Sequence, residues 1–339
     1  MVTSNIFSKA VSGIALTALA TLLVVSPNSG HASRKKHTPD AKPITHRLIA
    51  QDRGHIVILN EKGDVEWEAP CNFTSHDISF LPNGNVLAHT GPATIVEMTK
   101  DKQIVWKHTS TPKAPYAGAV EIHGFQRLKD GNTMISETGN KRFIEVDKDD
   151  KIVKEVPFTV DHPNSHRDTR MVRKLDNGHY LACHEGDGVV REWDADGKLV
   201  WSYKMDLNNQ PETPGHDGHG INVFGAVRLK NGNTLIAGGN NNRVLEVTPA
   251  GQVVWSIERD ELKDTEGAPI HLCWVTTLEL LPNNHLVFGN THAGPNNPQL
   301  IEVTHDKEKK VLWTLKNMTV LGNDTCAAQL LDVKGKIVR

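Results

Sequence analysis

The chain has 339 residues, with 38 Lys and Arg against 40 Asp and Glu and a net charge of −2. The charges are well mixed and no Lys/Arg block occurs, which argues against a nucleic-acid partner. Aromatic residues make up only 5%, yet seven of them are Trp, and histidine reaches 18.

Met1 to Lys9 is short and mildly basic, Ala10 to Val25 is apolar, and Ser29-Gly30-His31-Ala32 offers small residues for cleavage after Ala32. Residues 1–32 therefore read as a secretory signal peptide, the apolar run being short for a spanning helix. No Cys follows the run, so lipoprotein processing is not expected. Residues 33–45, with Arg34-Lys35-Lys36 and two prolines, read as a flexible leader. The chain is expected to be exported (periplasmic or secreted), with no membrane partner after signal cleavage.

From residue 46 to 339 the chain is repetitive. Arg47 to Glu68 holds only the later strands of a unit, ending in Gly63-Asp64-Val65-Glu66-Trp67. Units then occupy 76–110, 121–159, 167–206, 224–262 and 271–317. Each carries a turn such as Leu81-Pro82-Asn83-Gly84-Asn85, Leu128-Lys129-Asp130-Gly131-Asn132 or Leu229-Lys230-Asn231-Gly232-Asn233, with a degenerate copy at Leu281-Pro282-Asn283-Asn284-His285. The turn glycines 84, 131, 178 and 232 are 47, 47 and 54 residues apart, a blade-sized period. Asn-Gly at the turn demands positive φ and joins two short strands. Ala327 to Val338 supplies one more first strand and turn, completing the N-terminal fragment. The expected fold is an all-β, six-bladed β-propeller of four-stranded antiparallel blades, with one blade closed by both terminal strands so that no sheet edge is left open.

Trp67, Trp106, Trp201, Trp255 and Trp313 recur in the fourth strand, with Lys154 in their place in the 121–159 unit. They are expected to pack between blades. Cys71, Cys183, Cys273 and Cys326 allow three pairings. Cys183 falls in a strand pattern and is expected to be a buried thiol, while Cys71 and Cys326 lie near the ring closure, where a bridge would fit.

In a propeller, the segments entering first strands share a face with the loops joining second to third strands. His76, His123, His162, His166, His216, His219 and His271 enter first strands, and His55, His89, His184 and His292 lie in second-to-third loops. Only His179, His285 and His305 fall on the turn face. A ring of imidazoles at a channel mouth could ligate a divalent metal, move protons or bind an anion. His76 and His123 each lie eight residues before their turn glycine, as does Arg170, which makes the three equivalent in successive blades. The candidates for catalysis are His123, His166, His219, His271 and Arg170. The candidates for ligand contact are His76, Arg167, His184, Glu137 and His216. No Gly-x-Ser-x-Gly, phosphate loop or His-Glu-x-x-His occurs, so hydrolase, nucleotide and zincin readings have no motif behind them.

Leu229 to Ile236 and Arg243 to Trp255 carry a pattern that resembles the exported bacterial β-propellers of the quinoprotein-like repeat and arylsulfotransferase-like group. The resemblance runs from residue 44 to 339 and implies fold far more than activity, because it consists of turn and core positions. Arylsulfate sulfotransferases of this kind carry the sulfuryl group on a channel histidine, a role that would fall to His123, His166, His219 or His271 with Arg170 or Arg167 on the sulfate oxygens. The extra N-terminal domain of those enzymes is not expected here. Quinone-dependent dehydrogenases use eight blades and an adjacent-cysteine ring, neither of which is found, so a PQQ cofactor is not expected. The leading expectation is a monomeric propeller binding a small-molecule or carbohydrate ligand, with a histidine-dependent transferase or lyase second and a protein-interaction scaffold third.

Overall fold

The computed structural model describes residues 45–71, 73–207 and 222–339. The signal peptide and nearly all of the leader expected before residue 46 lie outside the described residues. Six four-stranded antiparallel sheets follow one another in the chain. Blade 1 covers 78–109, blade 2 covers 122–157, blade 3 covers 172–204, blade 4 covers 225–257 and blade 5 covers 274–315. Blade 6 joins Ala327–Leu330 to the N-terminal strands Leu48–Asp52, His55–Leu59 and Val65–Pro70, with Leu48 paired to Leu330. The six-bladed ring closed by strands from both ends is as the repeats imply.

The turn motif works as its residues require. Gly84, Gly131, Gly178 and Gly232 have φ between +84° and +93°, and Asn284 serves at +68° in the degenerate copy. The Asn or Asp before each glycine accepts a backbone N–H two residues on, at 3.0 Å in the first four turns. Such side chains tolerate the turn because they replace a backbone partner.

A second repeat, invisible as a motif until the blades are aligned, is a glutamate in the third strand. Glu97, Glu145, Glu192, Glu246 and Glu302 each reach a basic side chain of the next blade: Arg127, Lys174, Arg228, His305 and His46. Residues of the Asn-Gly turn bond the same carboxylates, as Asn85 does to Glu97 and His285 to Glu302. This accounts for the turn-face histidines as structural partners. Just after each of these glutamates the pairing to the fourth strand slips by one residue. The slip is a β-bulge, which turns both residues of Ile104-Val105, Ile152-Val153, Leu199-Val200 and Val253-Val254 outward.

The fourth-strand tryptophans are only partly buried, apart from Trp106 at 9% exposure. Their indole N–H groups cross to main-chain carbonyls of the next blade: Trp67 to Lys100, Trp106 to Asp147, Trp201 to Pro249 and Trp255 to Asp306, at 2.6–3.1 Å. They tie blades as well as pack between them. Lys154 instead reaches over the Tyr180 ring at 6.0 Å. All four cysteines are buried free thiols, so the bridge considered between Cys71 and Cys326 is not formed. Both are instead enclosed in separate apolar clusters.

The axis is blocked on the turn side of the mouth. Arg173 bonds both oxygens of Asp77 at 2.6 and 3.0 Å. After a bridge from Leu280 to Val338, the chain inserts Arg339, 3.5 Å from Asp77 and 3.7 Å from Glu279. The remaining cavity is about 10 Å³, room for one water. His76 and Phe224 line this cavity together with Asp77, Arg173, Glu279 and Arg339, so it lies between the plug and the histidine cluster.

Two outcomes follow from the blade contacts. Trp255→Phe should cost about 1 kcal/mol by removing the cross-blade hydrogen bond, and Trp255→Ala about 3 kcal/mol, both read by denaturant unfolding. Burial alone would lower the pKa of His46, but its bonds to Glu302 and Asp332 offset this and raise it above the ordinary 6.5. A raised folded-state pKa contributes stability below 6.5 that is lost as pH climbs through the raised value. Wild-type stability should therefore fall relative to His46→Gln as pH rises across that window, measured by unfolding at a pH series.

Candidate functional site

The offset of eight residues before each turn glycine places successive side chains at the channel mouth. The His76 and His123 rings lie 4.5 Å apart, and Nη1 of Arg170 is 3.0 Å from Nδ1 of His123. The same offset before Gly232 gives Phe224, whose ring is 6.2 Å from that of His76. Trp274 closes the circle at 6.2 Å from His76, beneath the Arg170 guanidinium at 5.7 Å. Close approach of blades 2 and 3 makes this possible. A Cβ on Gly124 would stand 2.7 Å from the Val172 nitrogen and 3.0 Å from the Arg170 carbonyl.

The rim comes from the lead-in loop of blade 3. Asp168 accepts backbone N–H groups from Asn164 at 2.6 Å and Gly139 at 2.8 Å, which pins the loop. It thereby holds His166 so that Nδ1 lies 2.8 Å from Oε2 of Glu121. The same oxygen lies 2.8 Å from Nε2 of His123. The site grades from an exposed rim, His166 and Arg167 at 56% and 42% side-chain exposure, to a floor of His123 and Arg170 at 0% and 3%.

The protonation states follow from the contacts. Burial, then the charge of Arg170, lowers the His123 pKa to about 4, so its ring is neutral at pH 7. Burial pushes Glu121 up, yet hydrogen bonds from His123 and His166 bring its carboxyl down to about 2. Nδ1 of His123 faces two neighbours of opposite demand: the Thr169 carbonyl at 2.8 Å, which accepts, and Arg170 at 3.0 Å, which donates. A neutral ring that donates from Nε2 to Glu121 leaves Nδ1 to receive Arg170. Arg170 in turn forms a buried ion pair with Glu185. His76 is held well below 6.5, first by burial and then by Arg170. Nδ1 of His76 and Nε of Arg170 are buried without a hydrogen-bond partner among the described residues.

Of the residues chosen from sequence, the structure brings together His76, His123, His166, Arg167 and Arg170. His184 stands apart: it is fully buried, donating from Nδ1 to the Asp168 carbonyl at 2.7 Å and accepting from Trp193 at 3.2 Å. Both ring nitrogens are committed, so it is a framework residue. Glu137 is buried against Arg142 and Asn140. His271 pairs with Asp260 at 2.6 Å and Arg259 at 3.3 Å, and no ring contact joins it to the cluster among the described residues. His216 and His219 lie outside the described residues. Glu121 and Phe224 were missed. Glu121 was legible as the residue two before His123 on the same side of an extended segment, and Phe224 by the same offset of eight.

These features define a six-bladed propeller with a blocked axis and a polar, histidine-lined cup on one face. The chain belongs to the family described as outer membrane protein assembly factor BamB, whose profile matches residues 103–315. Among curated proteins, none matches the chain. A solved protein of unknown function from Bacteroides caccae is 21% identical, with 85% of this chain and 100% of that chain covered and a TM-score of 0.68. A streptogramin B lyase is 12% identical, with 80% and 82% covered and a TM-score of 0.50. At these identities both show the fold alone. No helix among the described residues is long and apolar enough to cross a membrane.

Gly124→Ala tests the packing that assembles the cup. The added methyl meets main chain rather than a flexible side chain, so it should cost about 2 kcal/mol in denaturant unfolding. A neutral result would show that the blades 2 and 3 can separate freely there.

Proposed function

We propose that this is an exported propeller that binds a small polar or anionic ligand, a carbohydrate derivative included, at the histidine-rich mouth of its blocked channel. One observation carries the reading. His76 lies at the floor of the cup with its Nδ1 buried and without a hydrogen-bond partner among the described residues, beside an Arg170 whose Nε is likewise unpaired. Leaving a buried polar group unpaired costs about 1–3 kcal/mol, and such a group calls for a partner such as a water, an ion or a ligand. Arg170 favours an acceptor or anion, and the Phe224 and Trp274 rings, packed edge to face, supply apolar surface of the kind that small-ligand sites use. Export rests on the N-terminal apolar run with its small-residue cleavage site.

The sharpest test uses His76→Phe, which keeps a ring and removes the unpaired Nδ1. Calorimetry against sulfate, an aryl sulfate ester and an acidic sugar should show binding to the wild type that weakens about 10–100-fold in the variant. The variant's unfolding midpoint should hold or rise. Equal binding in both proteins, or a large stability loss in the variant, would assign His76 to packing.

The second reading is histidine-dependent transfer or elimination, and one feature favours it. The His76 pKa is held well below 6.5 and its Nδ1 has no hydrogen-bond partner among the described residues, whereas both nitrogens of His123 are engaged. In an arylsulfotransferase-like step a His76 nitrogen would attack sulfur as the aryl oxide leaves with the bonding pair. The sulfuryl group would then pass to an acceptor hydroxyl, whose proton departs. Intact mass of protein incubated with an aryl sulfate should then show a sulfuryl adduct that His76→Phe lacks.

A further inference from the structure

We propose that Glu121, His123 and His166 form a three-ligand site for a divalent metal ion of the zinc class, set into the rim of the cup. The donor atoms of these three side chains all lie within 4.8 Å of one another. Glu121 Oε2 stands 2.8 Å from both His123 Nε2 and His166 Nδ1, so one carboxylate oxygen joins two imidazoles. Zinc binds such nitrogen and oxygen donors at about 2.0–2.2 Å, which for tetrahedral geometry puts donors about 3.3 Å apart. An outward shift of about half an ångström would therefore admit the ion, and His166, on an exposed loop, can make it.

The surroundings of His123 match those of a metal ligand. Ligating histidines usually donate their second ring N–H to a carbonyl or carboxylate. His123 Nδ1 lies 2.8 Å from the Thr169 carbonyl, an acceptor that the metal-free tautomer leaves unused. Metal at Nε2 moves the ring proton to Nδ1, which then bonds Thr169 and displaces Arg170 Nη1. The ion thus does two things at once: it satisfies a frustrated contact and releases a guanidinium toward the mouth. The charge of Arg170 does not forbid the ion, because Glu185 pairs with it.

A separate observation points the same way. His76, more than nine-tenths buried and with no hydrogen-bond partner for its Nδ1 among the described residues, has its ring 4.5 Å from that of His123 and 6.3 Å from that of His166. Three protein ligands with one open position are the arrangement of sites that bind an exchangeable ligand. The His76 ring, 4.5 Å from that of His123, is a neighbouring imidazole for a ligand at that position. Metal binding does not depend on the ligand reading above, though the two together would let an anionic ligand coordinate the ion.

The test is titration of the chelator-treated mature protein with Zn²⁺ by calorimetry, and with Co²⁺ by visible absorption. The wild type should take up one ion per chain, with the intense d–d bands of four-coordinate Co²⁺. Glu121→Gln and His166→Gln, both at partly exposed positions that folding tolerates, should each weaken binding at least about 100-fold. His162→Ala, an exposed histidine on the same face, should bind as the wild type does. Absence of binding to the wild type, or an affinity in Glu121→Gln and His166→Gln equal to that of the wild type, would overturn the site. Either result leaves the His76→Phe experiment intact, so the two readings fail separately.

Discussion

Six sheets arranged in a ring leave a hole at the axis, and what fills it decides what each face can do. Here it is filled by two carboxylates and two guanidiniums: Asp77, Glu279, Arg173 and Arg339. Burying such charges is costly unless each is matched. Asp77 is matched by Arg173 in two hydrogen bonds, with further N–H donation from Ile78 and Phe125. Glu279 has less, and burial raises its pKa despite Arg339 beside it. The plug turns a channel into a cup. It also leaves the polar residues just beyond it, His76, His123 and Arg170, facing one opening rather than a pore.

The repeats divide the labour of holding this ring together. Asn-Gly turns set the hairpins, third-strand glutamates pin five of the six blades to the next on the turn face, and fourth-strand tryptophans reach across the outer rim. None of these contacts lies at the mouth. The mouth is thereby free of structural duty at some positions, which is why a histidine can sit there with an unpaired Nδ1. His89 and His184 show the opposite case. Each is fully buried with both nitrogens bonded, and burial lowers each pKa to about 4. A histidine count alone could not tell these framework residues from the cluster.

Much of this was legible in the chain. The turn glycines gave the number of blades because positive φ restricts that position to so few residues, and their spacing ruled off the equivalent sites. Measured back from them, His76, His123 and Arg170 fell on one level, and the structure brings them into contact. The pairing of His166 with Glu121 could not be read the same way, since it depends on how an irregular loop is pinned by Asp168. Glu137 and His184 were polar residues on the favoured face whose side chains turn inward, an orientation set by strand pleat and by Arg142 and Trp193 rather than by position. Arg339 as a plug required knowing that the segment after the last strand returns to the axis. The cysteines remained ambiguous because pairing is a matter of distance, not spacing.

The proposed anion or polar group lies in the cup between Arg170, Arg167 and His76. Diffraction from crystals soaked in selenate, an anomalously scattering stand-in for sulfate, tests it most directly. An anomalous peak is expected at the mouth, within hydrogen-bond distance of His76 and an arginine of the rim or floor. Peaks confined to surface lysines or to the turn face, with the mouth empty, would contradict it.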